Sequence, residues 1–119
     1  MTRFLTLEEA LVIVSEMNLT VRDMGLLDSG VHRPMAAFAG QEAYPTAQLK
    51  AAALLHLLAR NHPFLDGNKR FAWVASDVFL QLNGLRSRLN QHEMVALVLA
   101  VSTGELSDLE KIAAGMRIA

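Results

Sequence analysis

Residues 46–84 read TAQLKAAALLHLLARNHPFLDGNKRFAWVASDVFLQLNG, and their pattern decides the fold. Alanine, leucine and lysine give the stretch from Thr46 to Asn61 strong helix propensity, and Pro45-Thr46 supplies its start. The apolar window from Ala47 to Ala59 contains Lys50 and His56, so it reads as a buried helix of a soluble domain. A loop over His62 to Gly67 follows, and a further helix runs from Asn68 to Asn83. Gly84 is the left-handed stop expected after it. Phe71, Trp73, Val74 and Val78 recur at helical spacing and read as core.

Helix signals continue outward on both sides. Thr6 with Glu9 forms a capping box ahead of Leu7, Ala10, Leu11, Val14 and Met17. A short segment spans Leu26 to Arg33 and ends at Pro34, and Met35 to Tyr44 reads as a loop or short hairpin around Gly40. Asn90 with Glu93 opens another helix, which Gly104 closes, and Ser107 with Glu110 opens the last. Strand alternation is nearly absent. The expectation is an all-α fold in one domain over residues 1–119 with a short flap loop or hairpin.

Composition narrows the function classes. The 119 residues carry 11 basic and 12 acidic side chains, a formal charge of -1, against a dedicated nucleic-acid binder. Cysteine is absent, which removes disulfides, thiolate zinc sites and thiol nucleophiles together. Glu8 and Glu9 break the amino-terminal apolar stretch, so no signal peptide is expected. Nor is there the run of about 20 apolar residues that a bilayer span needs. The expected compartment is the cytoplasm.

The chemistry concentrates in Asn61-His62-Pro63-Phe64-Leu65-Asp66-Gly67-Asn68-Lys69-Arg70. Gly67-Asn68 falls at a helix start, where free backbone N–H groups and the positive dipole end suit phosphate. Lys69 and Arg70 add a point charge and a two-pronged donor. Cations are unfavourable at that end of a helix, which itself points to an anion. Asp66 is a hard oxygen ligand suited to Mg²⁺. Imidazoles titrate near neutrality, so His62 can accept a hydroxyl proton. Together these are the parts of phosphoryl or nucleotidyl transfer. Phe64 is expected to point into the core, and His32 and Arg33 are candidates for the mouth of the site. His56 reads as a core or semi-buried histidine and His92 as exposed.

The same segment resembles the Fic motif, H-P-F-x-[D/E]-G-N-G-R-x-x-R, and more closely its death-on-curing (Doc) version with G-N-K-R. Arg33-Pro34 with Phe38-Ala39-Gly40-Gln41-Glu42-Ala43-Tyr44-Pro45 is similar to the substrate-facing flap of that family. Leu80-Gln81-Leu82-Asn83-Gly84 and Thr103-Gly104-Glu105 fall where the Doc pattern has comparable residues. Lys69 stands where the general motif has its second glycine, and Trp73 where it has its final arginine.

The resemblance implies a Fic/Doc helical fold and a toxin of a type II toxin–antitoxin system. It implies transfer of the γ-phosphate of ATP to a threonine of elongation factor Tu, with AMP transfer or a non-catalytic nucleotide-binding toxin as alternatives. His62 is then the general base and Asp66 the Mg²⁺ ligand. Gly67 and Asn68 form an anion hole of backbone and side chain, and Lys69 and Arg70 neutralise the phosphates. No [S/T]-x-x-x-E-[G/N] inhibitory helix is present, so inhibition is expected from a Phd-like antitoxin. No direct nucleic-acid or membrane partner is implied.

Overall fold

Alanine at positions 51, 52, 53 and 59 and leucine at 54, 55 and 58 leave the helix Ala47–Asn61 without a polar face, so other elements must enclose it. The computed structural model, which describes residues 1–119, shows this enclosure. Six helices carry the chain: α1 (Leu7–Glu16), α2 (Met24–His32), α3 (Ala47–Asn61), α4 (Asn68–Leu82), α5 (Gln91–Thr103) and α6 (Leu109–Gly115). The central α3 packs against α2, α4, α5 and α6. A continuous core of 21 buried residues runs through all six helices. The fold is all-α apart from one small hairpin, and no helix is long and apolar enough to cross a membrane.

Caps set the helix boundaries. Thr6 and Glu9 close the expected box on α1, and Asn90 and Glu93 close another on α5. Gly104, in the left-handed region at φ 84°, ends α5. Three expectations shift. The second helix begins at Met24 rather than Leu26, because Asp23 accepts from the Leu26 N–H and starts it early. Pro34 lies within a 3-10 turn, Arg33–Met35, that continues the helix instead of ending it. Asp108, not Ser107, caps the last helix by accepting from Lys111 N–H at 3.1 Å. On α4 the buried face is Phe71, Ala72, Ala75, Ser76, Phe79 and Leu80, while Trp73, Val74 and Val78 are only half-buried.

The hairpin joins β1 (Ala37–Phe38) to β2 (Gln41–Glu42), with Ala37 opposite Glu42 and Phe38 opposite Gln41. Its turn residues Ala39 and Gly40 both have positive φ, the geometry that matches strand twist. Phe38 stands 86% exposed. Both strands are solvent-exposed, so side-chain burial does not hold the hairpin in place.

Lys50 ties it down from below. This lysine sits in the first turn of α3 at 1% exposure, against the helix dipole and out of water. Its Nζ lies 3.0 Å from Glu42 Oε1 and donates to the Tyr44 carbonyl, so one ammonium grips the base of the hairpin. Only the ammonium of this pair is buried, Glu42 being exposed, so the cost of taking Lys50 out of water offsets much of the attraction and little net stability results. The Lys50→Met variant is therefore expected to keep or raise the thermal midpoint. Hydrogen exchange at Ala43, whose N–H bonds the Ala36 carbonyl across the hairpin base, should accelerate. An unchanged exchange rate would show that the ammonium does not hold the hairpin.

Candidate functional site

The segment joining α3 to α4 folds back between two helix ends of opposite sign. His62 is the residue that caps α3 at its carboxyl end, with φ 53° and ψ 61°, a left-handed conformation uncommon for side chains other than glycine. Gly67 precedes α4 at φ 83°. That backbone favours glycine, and a Cβ there would come within 2.7 Å of Leu19 Cδ2 and 3.0 Å of Arg70 Nη2, so the ends of both side chains would have to shift.

Within the loop, Asn68 closes a ring. Its Oδ1 accepts from Phe64 N–H at 2.9 Å and its Nδ2 donates to the Phe64 carbonyl at 3.1 Å. The Asn68 side chain thus braces the loop from within, and the start of α4 has no side-chain cap on its N–H groups. Phe64 is buried as expected and meets Phe71 edge-on, with ring centroids 4.7 Å apart at 61°. Asp66 Oδ1 accepts from Gly67 N–H at 2.8 Å, and Oδ2 has no partner within the protein.

His62, Asp66, Gly67, Asn68, Lys69 and Arg70 all line one cleft of about 190 Å³, joined there only by Leu65. Every residue singled out for chemistry is thus brought to one place. Neither Lys69 nor Arg70 pairs with a carboxylate, so two cations stand uncompensated at the positive end of a helix dipole. That is a standing attraction for an anion. No three metal-ligating side chains gather anywhere in the chain. Asp66 is a lone carboxylate, the donor set that suits Mg²⁺ held jointly with substrate phosphates and water rather than in a protein cage.

The comparison with known families decides the relationship. The model of the Fic/DOC family matches residues 4–80, which span α1 through most of α4. The chain belongs to the Fic/DOC family. Within it, the chain is 51% identical over 89 residues to a protein named Toxin Doc from Mycolicibacterium smegmatis (strain ATCC 700084 / mc(2)155). That match covers 72% of this chain and 68% of the relative. The matched family region contains the whole cleft as well as the hairpin.

Two candidates for the mouth of this Fic/DOC cleft do not line it. His32 Nδ1 turns to Asp28 Oδ1 at 3.0 Å, and the Arg33 guanidinium lies 5.7 Å from the centre of the Tyr44 ring. Arg33 thus sits beside Tyr44, just past the hairpin, while His32 stays with its own helix. His92 is exposed, and His56 is half-buried on α3.

Partial burial, then the Arg60 and Arg33 charges, hold His56 below its ordinary value of 6.5. Below about pH 6.5 the unfolded chain takes up a proton there that the folded chain refuses. Stability at this position is therefore present above that pH and declines as pH falls through the window beneath it. Thermal midpoints between pH 7.5 and 5.5 should fall, and His56→Gln should flatten that slope. An unaltered slope in the variant would remove His56 as its source.

Sequence reasoning missed the segment that holds the loop. Thr20 to Asp23, between α1 and α2, runs beside residues 62–65. Arg22 N–H and Asp23 N–H both donate to the Pro63 carbonyl, at 2.8 and 3.1 Å, and Leu65 N–H donates to the Thr20 carbonyl at 3.1 Å. Val21 and Phe64 form an isolated antiparallel bridge. Contacts some forty residues apart leave no periodic trace in the sequence.

Proposed function

We propose that this protein is the toxin of a toxin–antitoxin pair and transfers the γ-phosphate of ATP to a protein hydroxyl, the expected acceptor being a threonine of elongation factor Tu. The observation that carries the reading is the cleft itself. One imidazole, one unpaired carboxylate oxygen, an uncapped helix start and two unpaired cations share it, in a chain of the Fic/DOC family. Family membership supports group transfer to a protein, and the relative named Toxin Doc supports the toxin role.

In this reading His62 accepts the proton of the attacking hydroxyl. Gly67 brings the backbone close to the phosphates, and the N–H groups at the start of α4 bind their oxygens. Asn68 keeps the loop in that shape. Lys69 and Arg70 neutralise the charge that builds up on the transferring group. Asp66 holds Mg²⁺, which supplies electrostatic stabilisation of the phosphate chain when bound. Trp73 favours γ- over α-transfer. It stands half-buried on α4 where the general Fic motif carries an arginine, so no third cation follows Lys69 and Arg70.

The inhibitory partner is a Phd-like antitoxin. An apolar groove of about 400 Å³ opens between α4 and α5, with Trp73, Val74, Val95, Val98 and Leu99 in its walls. Val95 and Leu99 are half-exposed, and the polar residues of the groove are Lys69, Arg70 and Gln91, with no carboxylate. Its complement is an amphipathic helix with acidic residues beside its apolar face.

The test is a paired labelling assay with purified protein, Mg²⁺ and elongation factor Tu, using ATP labelled at either the α- or the γ-phosphate. Label arriving on protein only from the γ-position is the expected result. Transfer only from the α-position would make the protein an adenylyltransferase, and transfer from neither would remove this reading.

A further inference from the structure

We propose that Arg22 is a positioning residue for His62, fixing the left-handed turn that aims the imidazole into the cleft. The inference rests on the reading of His62 as the base. His62 sits at φ 53°, where L side chains rarely rest, so something must hold it there. The Arg22 guanidinium donates to the His62 carbonyl from both Nε, at 3.1 Å, and Nη2. These are the only side-chain hydrogen bonds that the 20–23 segment makes to the loop. The other links from that segment are backbone bonds to Pro63 and Leu65.

The placement is electrostatically apt. The His62 carbonyl lies at the carboxyl end of α3, where partial negative charge collects and a cation is favoured. Arg22 is exposed and makes no salt bridge, so its fork has no other task in the fold. Removing the side chain leaves the backbone bonds to Pro63 in place. The loop then persists, but the peptide plane between His62 and Pro63 loses its clamp and can rotate. Since the imidazole hangs from the same Cα, that rotation displaces it from the acceptor hydroxyl. Lysine can restore the charge but not the two-pronged contact.

The test compares the whole protein with its Arg22→Met and Arg22→Lys variants in two measurements. In the NMR spectrum the His62 ring signal is assigned by its loss in His62→Ala, with His32, His56 and His92 as internal references. Arg22→Met should shift and broaden the His62 signal alone, with the thermal midpoint preserved. Its kcat for γ-phosphate transfer should fall by about 100-fold with nucleotide affinity held within about twofold, as expected of misplacement near 1 Å. Arg22→Lys should lie between the two in both measurements.

An unmoved His62 signal in Arg22→Met would overturn the proposal. So would movement of all four histidine signals together with a collapsed midpoint, which would make Arg22 a general support of the fold. If the unaltered protein labels no protein at all, the proposed function fails, and the NMR comparison still decides the role of Arg22.

Discussion

Replacing His62 by alanine should lower γ-phosphate transfer by about 10²–10⁴-fold, the range spanned by removal of a positioned general base. Nucleotide affinity should survive. The groups proposed to bind the phosphates are the start of α4, Lys69 and Arg70, and none makes a hydrogen bond to the imidazole. The side chain is exposed, so its loss opens no cavity. The left-handed backbone is no easier for alanine than for histidine, but the Arg22 contact uses the carbonyl and persists. The expected pattern is a fall in kcat with a near-constant KM for ATP, and loss of growth arrest in cells that express the variant. Growth arrest that survives His62→Ala would mean that binding alone produces the effect, and the enzymatic reading would go.

The second large effect concerns stability. Phe71→Ala should cost about 3–5 kcal/mol, the usual range for emptying a fully buried aromatic site. The ring is wholly buried on the α4 face that packs against α3, and its neighbour Phe64 leans on it edge-on. Domains of this size are commonly stable by about 5–15 kcal/mol, so the variant would lose a large fraction of its reserve. Because Phe64 belongs to the loop between His62 and Asp66, the cavity also loosens the candidate site. Transfer activity should therefore fall further than the folded fraction does. Urea unfolding supplies the first quantity and an assay normalised to folded protein the second. A cost below about 1 kcal/mol would show that the surroundings collapse to fill the site.

Much of this is legible in the sequence, for identifiable reasons. Helix ends are written in short-range chemistry, so Thr6 with Glu9, Asn90 with Glu93, Thr46 and Gly104 could be read directly. The cleft was legible for the same reason, since its lining residues fall within Gly67's immediate neighbourhood in the chain. Proximity in sequence guaranteed proximity in space.

What stayed hidden depends on distant partners. Asn83 reads as the end of a helix, yet its amide holds the amino terminus. It accepts from Arg3 N–H at 2.8 Å and donates back to the Arg3 carbonyl at 2.9 Å. Lys50 reads as one polar interruption of an apolar helix and proves to be the anchor of the hairpin. Trp73 and Val74 read as core beside Phe71 but are only half-buried and line the groove, Trp73 packing against the edge of the core. Periodicity reports which residues lie on an apolar face, not whether a neighbouring helix closes over it.

Lys69 and Arg70 line both hollows of the molecule, the polar cleft and the apolar groove. Two ligands that draw on one pair of charges cannot be thermodynamically independent. Whatever factor an acidic helix in the groove takes from the affinity for a polyphosphate, the polyphosphate must take equally from the affinity for the helix. On the proposed function, with an acidic helix as inhibitor in the groove and ATP in the cleft, the restraint on this protein would vary with nucleotide supply. High ATP would then weaken the hold of such an inhibitor, and scarce ATP would favour the inhibited state through the same coupling.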